Sequence, residues 1–193
     1  MFILIPVLTF LKIPSLLPFR TIYIILSFGY IFLFFHKTGL SILKSLGITT
    51  TNLRHSFRSA VFLTTASGLL LLFILEVYPD IKNFGEIVNK LNGVPLNIFI
   101  PIYLLISIPL QELIFRGFFI TRLRLISKNS LFLIIFSALI FTLAHASFGQ
   151  PLILPFAFLF GTLLGTLFIK YDNIVGPIAY HAMTGLIAFI LVL

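Results

Sequence analysis

The charge content of this chain leaves it one environment in which to fold. Thirteen Lys+Arg and five Asp+Glu are spread over 193 residues, of which 60% are hydrophobic. Charged residues make up 9% of the sequence, against about 25% in a soluble domain. A water-facing surface cannot be assembled from so few. A soluble globular domain and a disordered chain are excluded, and a polytopic membrane protein remains. Lipid demands that every backbone polar group be satisfied internally, and no alternating pattern of a barrel strand occurs, so the spans are helices. The expected fold class is all-α, a polytopic transmembrane helical bundle of six to seven spans at about 20 residues each.

Residues 1–19 are apolar at first, then broken by Lys12, Pro14 and Pro18. They read as a short first span or an interfacial helix. They lack the charged start of a signal peptide, so no cleavage is expected. Further spans are expected over 21–35, 59–78, 97–120, 130–147, 151–170 and 173–193. The formal charge of +8 follows from basic loops rather than from a nucleic-acid partner, because Lys and Arg gather on the cytoplasmic side of membrane proteins. Loop 36–58 carries Lys37, Lys44, Arg54 and Arg58, and loop 121–129 carries Arg122, Arg124 and Lys128. Both loops and Lys170 are therefore expected in the cytoplasm of a multi-pass cell-membrane protein, with 8 basic residues inside against 4 outside. The chain has no Cys, which excludes disulfides and thiol nucleophiles.

Composition shifts near residue 97. Before it, polar residues sit in loops; after it, ionisable groups appear inside apolar segments. Residues 1–96 read as an N-terminal transmembrane scaffold and 97–193 as the functional half. Ionisable side chains deep in a bilayer cost several kcal/mol and mark functional sites. Glu112, Arg116, His145 and His181 qualify, with Gln111 as an uncharged polar neighbour. Glu112 and Arg116 are four residues apart and share a helical face, where an ion pair lowers the cost of burying either. Such a pair can equally serve only to hold helices together. A lone His in a span is often a packing hydrogen bond, but two His and one Glu together are the parts of a hydrolytic site. They can bind one divalent metal such as zinc, through Glu112, His145 and His181, and activate water. They can also work without metal, one group as base and another as oxyanion donor. Counted from the span ends, His145 lies about 10 Å deeper than Glu112 or His181. The fifth span is therefore expected to start deeper than residue 130, or to tilt.

Other hydrolase chemistries fit less well. No His-Glu-x-x-His occurs, and Asp80 and Asp172 lie in loops or at span ends. Ser67 in Thr65-Ala66-Ser67-Gly68 reads as a small packing residue, and Gly161 with Gly165 as a close helix contact. A small transporter using the buried groups as a proton relay should show inverted repeats, and none is visible.

At these residues the chain resembles the CAAX protease and bacteriocin-processing family, also called CPBP or Abi. Gln111-Glu112-Leu113-Ile114-Phe115-Arg116 resembles its Glu-Glu-x-x-x-Arg motif, and Phe141-Thr142-Leu143-Ala144-His145 matches Phe-x-x-x-His. His181-Ala182-Met183-Thr184-Gly185 resembles His-x-x-x-Asn. The resemblance covers about residues 97–193. It implies an intramembrane endopeptidase, metallo- or glutamate-type, acting on hydrophobic or lipidated peptides at the bilayer. Glu112, His145 and His181 would be catalytic, supported by Gln111, Arg116, Phe141 and Gly185. In the family the first Glu and the second-motif His activate water, and the last His and Asn stabilise the oxyanion. Here Gln111 stands at the first Glu and Gly185 at the Asn. A Gln amide cannot act as a base, and Gly donates nothing from a side chain. Glu112 or a neighbour must then substitute. The alternative is a catalytically degenerate member acting as a membrane binding or immunity protein.

Overall fold

A computed structural model describes residues 29–30, 33–78, 96–146 and 153–192. Every regular element among them is helical. A short helix α1 (Ile42–Ser45) leads into α2 (Leu53–Val77). A long helix α3 (Asn97–Leu123) follows, then α4 (Ser130–His145), α5 (Ile153–Tyr171) and α6 (Val175–Val192). Among the described residues three helices are long and apolar enough to cross a membrane, Leu53–Val77, Asn97–Leu123 and Leu154–Tyr171. Helices α4 and α6 are equally apolar but shorter. The result is an all-α helical membrane bundle, as the composition requires. The expected span over 1–19, and most of that over 21–35, lie outside the described residues.

The outer faces of the helices are apolar. Leu69, Phe73, Leu105, Leu131 and Ile190 are all more than 60% exposed, which suits lipid and would not suit water. Inside, Ala60 of α2 packs with Phe141, Leu164, Leu167 and Tyr180 in one buried cluster. Helix α4 runs along α5, and α6 along α2. Both contacts depend on small residues. A Cβ at Gly161 would stand 3.1 Å from the Ala138 backbone, and one at Gly165 3.5 Å from Ile134. The Gly161/Gly165 pair is thus the close α4–α5 seam expected of it. Gly176 admits Ser56 of α2 against the first turn of α6.

Two boundaries differ from expectation. Helix α2 begins at Leu53 rather than 59, so Arg54 and Arg58 stand on its first turns and not in a loop. Long basic side chains at a helix end can reach back to the polar interface. Helix α4 does begin at Ser130, because Asn129 caps it by accepting from Phe132 N–H at 3.0 Å. The later start expected for this span is therefore not found. Helix α3 continues to Leu123, and Ser137 of α4 lies level with Phe115 of α3, its hydroxyl donating to Phe115 O at 3.0 Å.

One end of the bundle is stitched by polar groups that face no helix partner of their own. Asn173 is fully buried. Its amide donates to Thr49 O at 2.7 Å and Thr51 O at 2.9 Å. Its Oδ1 accepts from Val175 N–H at 2.9 Å, capping α6. Ile174 N–H donates to Gly47 O at 2.9 Å. Gly47 has φ 73°, and a Cβ there would meet the Phe168 ring at 2.7 Å, so only Gly fits. Thr121 shares its one hydroxyl hydrogen between Ser45 O and Gly117 O, each at 2.6 Å. Arg124 pairs with Asp172 at 2.7 Å. The two loops expected on one side of the membrane, and the chain just after Lys170, thus meet at one end of the molecule.

Removing the Asn173 amide would strand two carbonyls and one N–H. Asn173→Ala is expected to cost about 1–3 kcal/mol, read as a lower thermal midpoint in detergent. Asn173→Asp, which keeps the α6 cap but sets a buried carboxylate oxygen against the Thr49 and Thr51 carbonyls, should cost at least as much.

Candidate active site

Helix α3 is where the site begins, and its geometry departs from a uniform helix. Tyr103–Ser107 and Leu113–Phe118 are π-helical turns that flank Ile108–Glu112. Pro109 explains the first. A proline ring clashes with the carbonyl four residues back, and widening the preceding turn relieves that clash. Single π turns of this kind are frequent at functional sites.

Glu112 and Arg116 face inward from α3 with no exposed surface. Arg116 Nη1 donates to Glu112 Oε1 at 3.2 Å, and Nη2 donates to Gly161 O of α5 at 3.2 Å. The guanidinium lies 4.4 Å over the Phe141 ring. Guanidinium and aromatic face attract through the ring quadrupole, most strongly where water is excluded. The pair is therefore neutral as a unit and tied to α4 and α5.

Helix α6 completes the carboxylate's surroundings. His181 is 3% exposed, and its Nδ1 is 2.7 Å from Glu112 Oε1. A carboxylate accepts, so Nδ1 carries hydrogen, and Nε2 is the second functional nitrogen. That Nε2 is 3.4 Å from the Tyr103 hydroxyl. Glu112 Oε2 has no hydrogen-bond partner among the described residues.

His145 arrives from α4. It folds back toward the start of its own helix, Nδ1 donating to Phe141 O at 2.8 Å. This fold-back follows the N-terminal tilt of helical side chains and shortens its distance to the level of Glu112. Its ring packs on Phe141 with centroids 4.3 Å apart, and His181 meets the same Phe141 ring edge-on at 5.9 Å. His145 is within electrostatic reach of His181, Arg116 and Glu112. Phe141 is thus the shared wall behind Arg116 and both imidazoles.

The remaining two motif positions are not directed at the carboxylate. Gln111 is partly exposed and donates from Nε2 to Ser107 Oγ at 2.9 Å on its own helix. Gly185 lies against the Tyr103 ring, where a Cβ would stand 3.1 Å from Cε1. Ser67 is a packing hydroxyl as expected, 2.7 Å from the Tyr180 hydroxyl. Tyr103 itself was not among the expected site residues.

The donor set does not suit a three-ligand metal site. Among the described residues no three His, Asp or Glu side chains are grouped to hold a metal ion. Glu112 Oε1 is already engaged by a guanidinium and an imidazole N–H, and Oε2 of the same carboxylate has no hydrogen-bond partner among the described residues.

Residues 93–187 match the family model described as Rce1-like, type II CAAX prenyl endopeptidase Rce1-like. That span contains all three motifs. No curated protein and no solved structure matches the chain.

The ion pair sets a stability test. Arg116→Met leaves a buried carboxylate opposed by nothing but an imidazole, at an expected cost of roughly 3–5 kcal/mol. The double variant Arg116→Met/Glu112→Leu should recover much of that loss, because neither charge is then buried. Chemical or thermal unfolding in detergent reads both.

Proposed function

We propose, from the match of residues 93–187 to the Rce1-like family model, that this chain cleaves peptides with Glu112, His145 and His181. The reading is supported above all by the 2.7 Å contact between His181 Nδ1 and Glu112 Oε1. It joins α3 to α6 and fixes which imidazole nitrogen faces outward.

His145 is the general base. Its Nδ1–H is committed to Phe141 O, so Nε2 carries the lone pair, and its partial exposure lets water reach it. Water attacks the scissile carbonyl carbon as Nε2 takes its proton, forming a C–O bond and an oxyanion. Collapse breaks the C–N bond, and the proton passes from His145 to the leaving amine. His181 stands on the oxyanion side, held there by Glu112. Any positive charge it gains faces the carboxylate, which stabilises it as the orienting Asp of a catalytic triad does. Arg116 holds Glu112 in place. Glu112 is a positioning group here, and no step passes through a metal.

Substrates are hydrophobic or lipidated peptide segments at the bilayer, consistent with the apolar surface around the site. The protein sits in the cell membrane with 36–58 and 121–129 on the cytoplasmic side.

Cleavage of a prenylated and an unprenylated peptide by the protein in lipid vesicles tests this. Glu112→Ala, His145→Ala and His181→Ala should each lower kcat by about 100-fold or more. Undiminished cleavage by all three would end the assignment. A native protein that binds the peptide and never cleaves it would instead support a degenerate binding or immunity role, for which Gln111 and Gly185 are the motivating residues.

A further inference from the structure

We infer that Tyr103 is the oxyanion donor that position 185 lacks, an inference that rests on the hydrolytic reading above. The phenol oxygen is 3.4 Å from His181 Nε2. A Cβ at Gly185 would lie 3.1 Å from Tyr103 Cε1 and 3.3 Å from its hydroxyl oxygen. The phenol therefore fills the space that a side chain one turn beyond His181 would take. A side chain at 185 would have to push the phenol aside by at least a few tenths of an ångström, so the two compete for one space, and the chain has the tyrosine.

The ring is fixed for this purpose. Phe99 stacks on it at 5.8 Å and Phe189 meets it edge-on at 5.3 Å. Its position depends on the π turn over Tyr103–Ser107. In a uniform α-helix the nine-residue step from Tyr103 to Glu112 is about 2.5 turns, which puts them on opposite faces. One residue absorbed in a π turn leaves roughly 2.2 turns, which brings Tyr103 toward the Glu112 face. Both then contact His181.

The hydroxyl can serve His181 in either protonation state. With neutral His181, Tyr103 O–H donates to Nε2. When His181 is protonated, Nε2–H donates to the phenol oxygen, and the phenol hydrogen turns to the substrate oxyanion. Glu112, His181 and Tyr103 then form one line of hydrogen bonds ending at the charge that develops. No bond to Tyr103 is made or broken.

Tyr103→Phe keeps the ring and removes the donor. The expected result is a kcat lower by about 100- to 1,000-fold with KM and thermal midpoint nearly unchanged. Tyr103→Ala/Gly185→Asn, which trades the phenol for an amide at 185, should recover at least about tenfold over Tyr103→Ala, a fraction of one donor's worth. A second measurement does not need turnover: binding of a peptide aldehyde, whose hydrate mimics the tetrahedral species, against binding of the parent peptide. Native protein should prefer the aldehyde, and Tyr103→Phe should lose that preference. Wild-type kcat and an intact preference in Tyr103→Phe would overturn the assignment while leaving the hydrolase reading standing. A native protein with neither cleavage nor aldehyde preference would sink both.

Discussion

A carboxylate with no access to water must be answered from inside the protein, and Glu112 is answered twice, by Arg116 at 3.2 Å and by His181 at 2.7 Å. Much of the packing among α3, α4, α5 and α6 is arranged around that requirement. Arg116 is itself buried, so its second amino group needs an acceptor, and Gly161 O supplies one across α5. Its flat cationic face needs a partner, and Phe141 supplies that from α4. Three helices are thereby fixed on one charge pair. A buried pair of this kind is poor evidence for stability, since two apolar residues often pack as well. Its retention makes sense where the carboxylate has work to do, and holding His181 Nδ1 is such work.

The ionisable half of the site was legible because lipid makes such residues conspicuous. Glu112 and Arg116 stand four apart, and any helix puts that spacing on one face. His145 and His181 interrupt runs that are otherwise apolar. Phe141 could be read with His145 for the same reason of spacing, though its contact with Arg116 could not. Depth was misjudged, since residue counts from span ends assume that all helices begin in one plane. Here α6 starts at the stitched end of the bundle, where the Gly47 carbonyl accepts from Ile174 N–H.

What stayed hidden depends on distant partners or on irregular helix geometry. Asn173 stood only as the first residue of the last expected span. Its value comes from carbonyls 124 and 122 residues earlier in the chain, a separation at which no local pattern speaks. The hydroxyl pairs of α2, Ser59 with Tyr171 and Ser67 with Tyr180, each at 2.7 Å, are invisible for the same reason. Tyr103 was hidden differently. Regular periodicity turns it away from Glu112, and only the π turn beside Pro109 reverses that. The proline was the available signal, because an internal proline is a reason to distrust uniform 3.6-residue phasing downstream and upstream of it.

The two departures from the family motifs are then not equivalent. Gly185 is matched by a bulky polar group in its own space, so the loss of one side chain coincides with the presence of another. Gln111 has no such replacement: its amide is committed to Ser107 on the same helix and carries no useful basicity. If the site is hydrolytic as proposed, the proton of water has to go elsewhere than to that first position. Of the two imidazoles, His181 is nearly sealed while His145 keeps partial exposure.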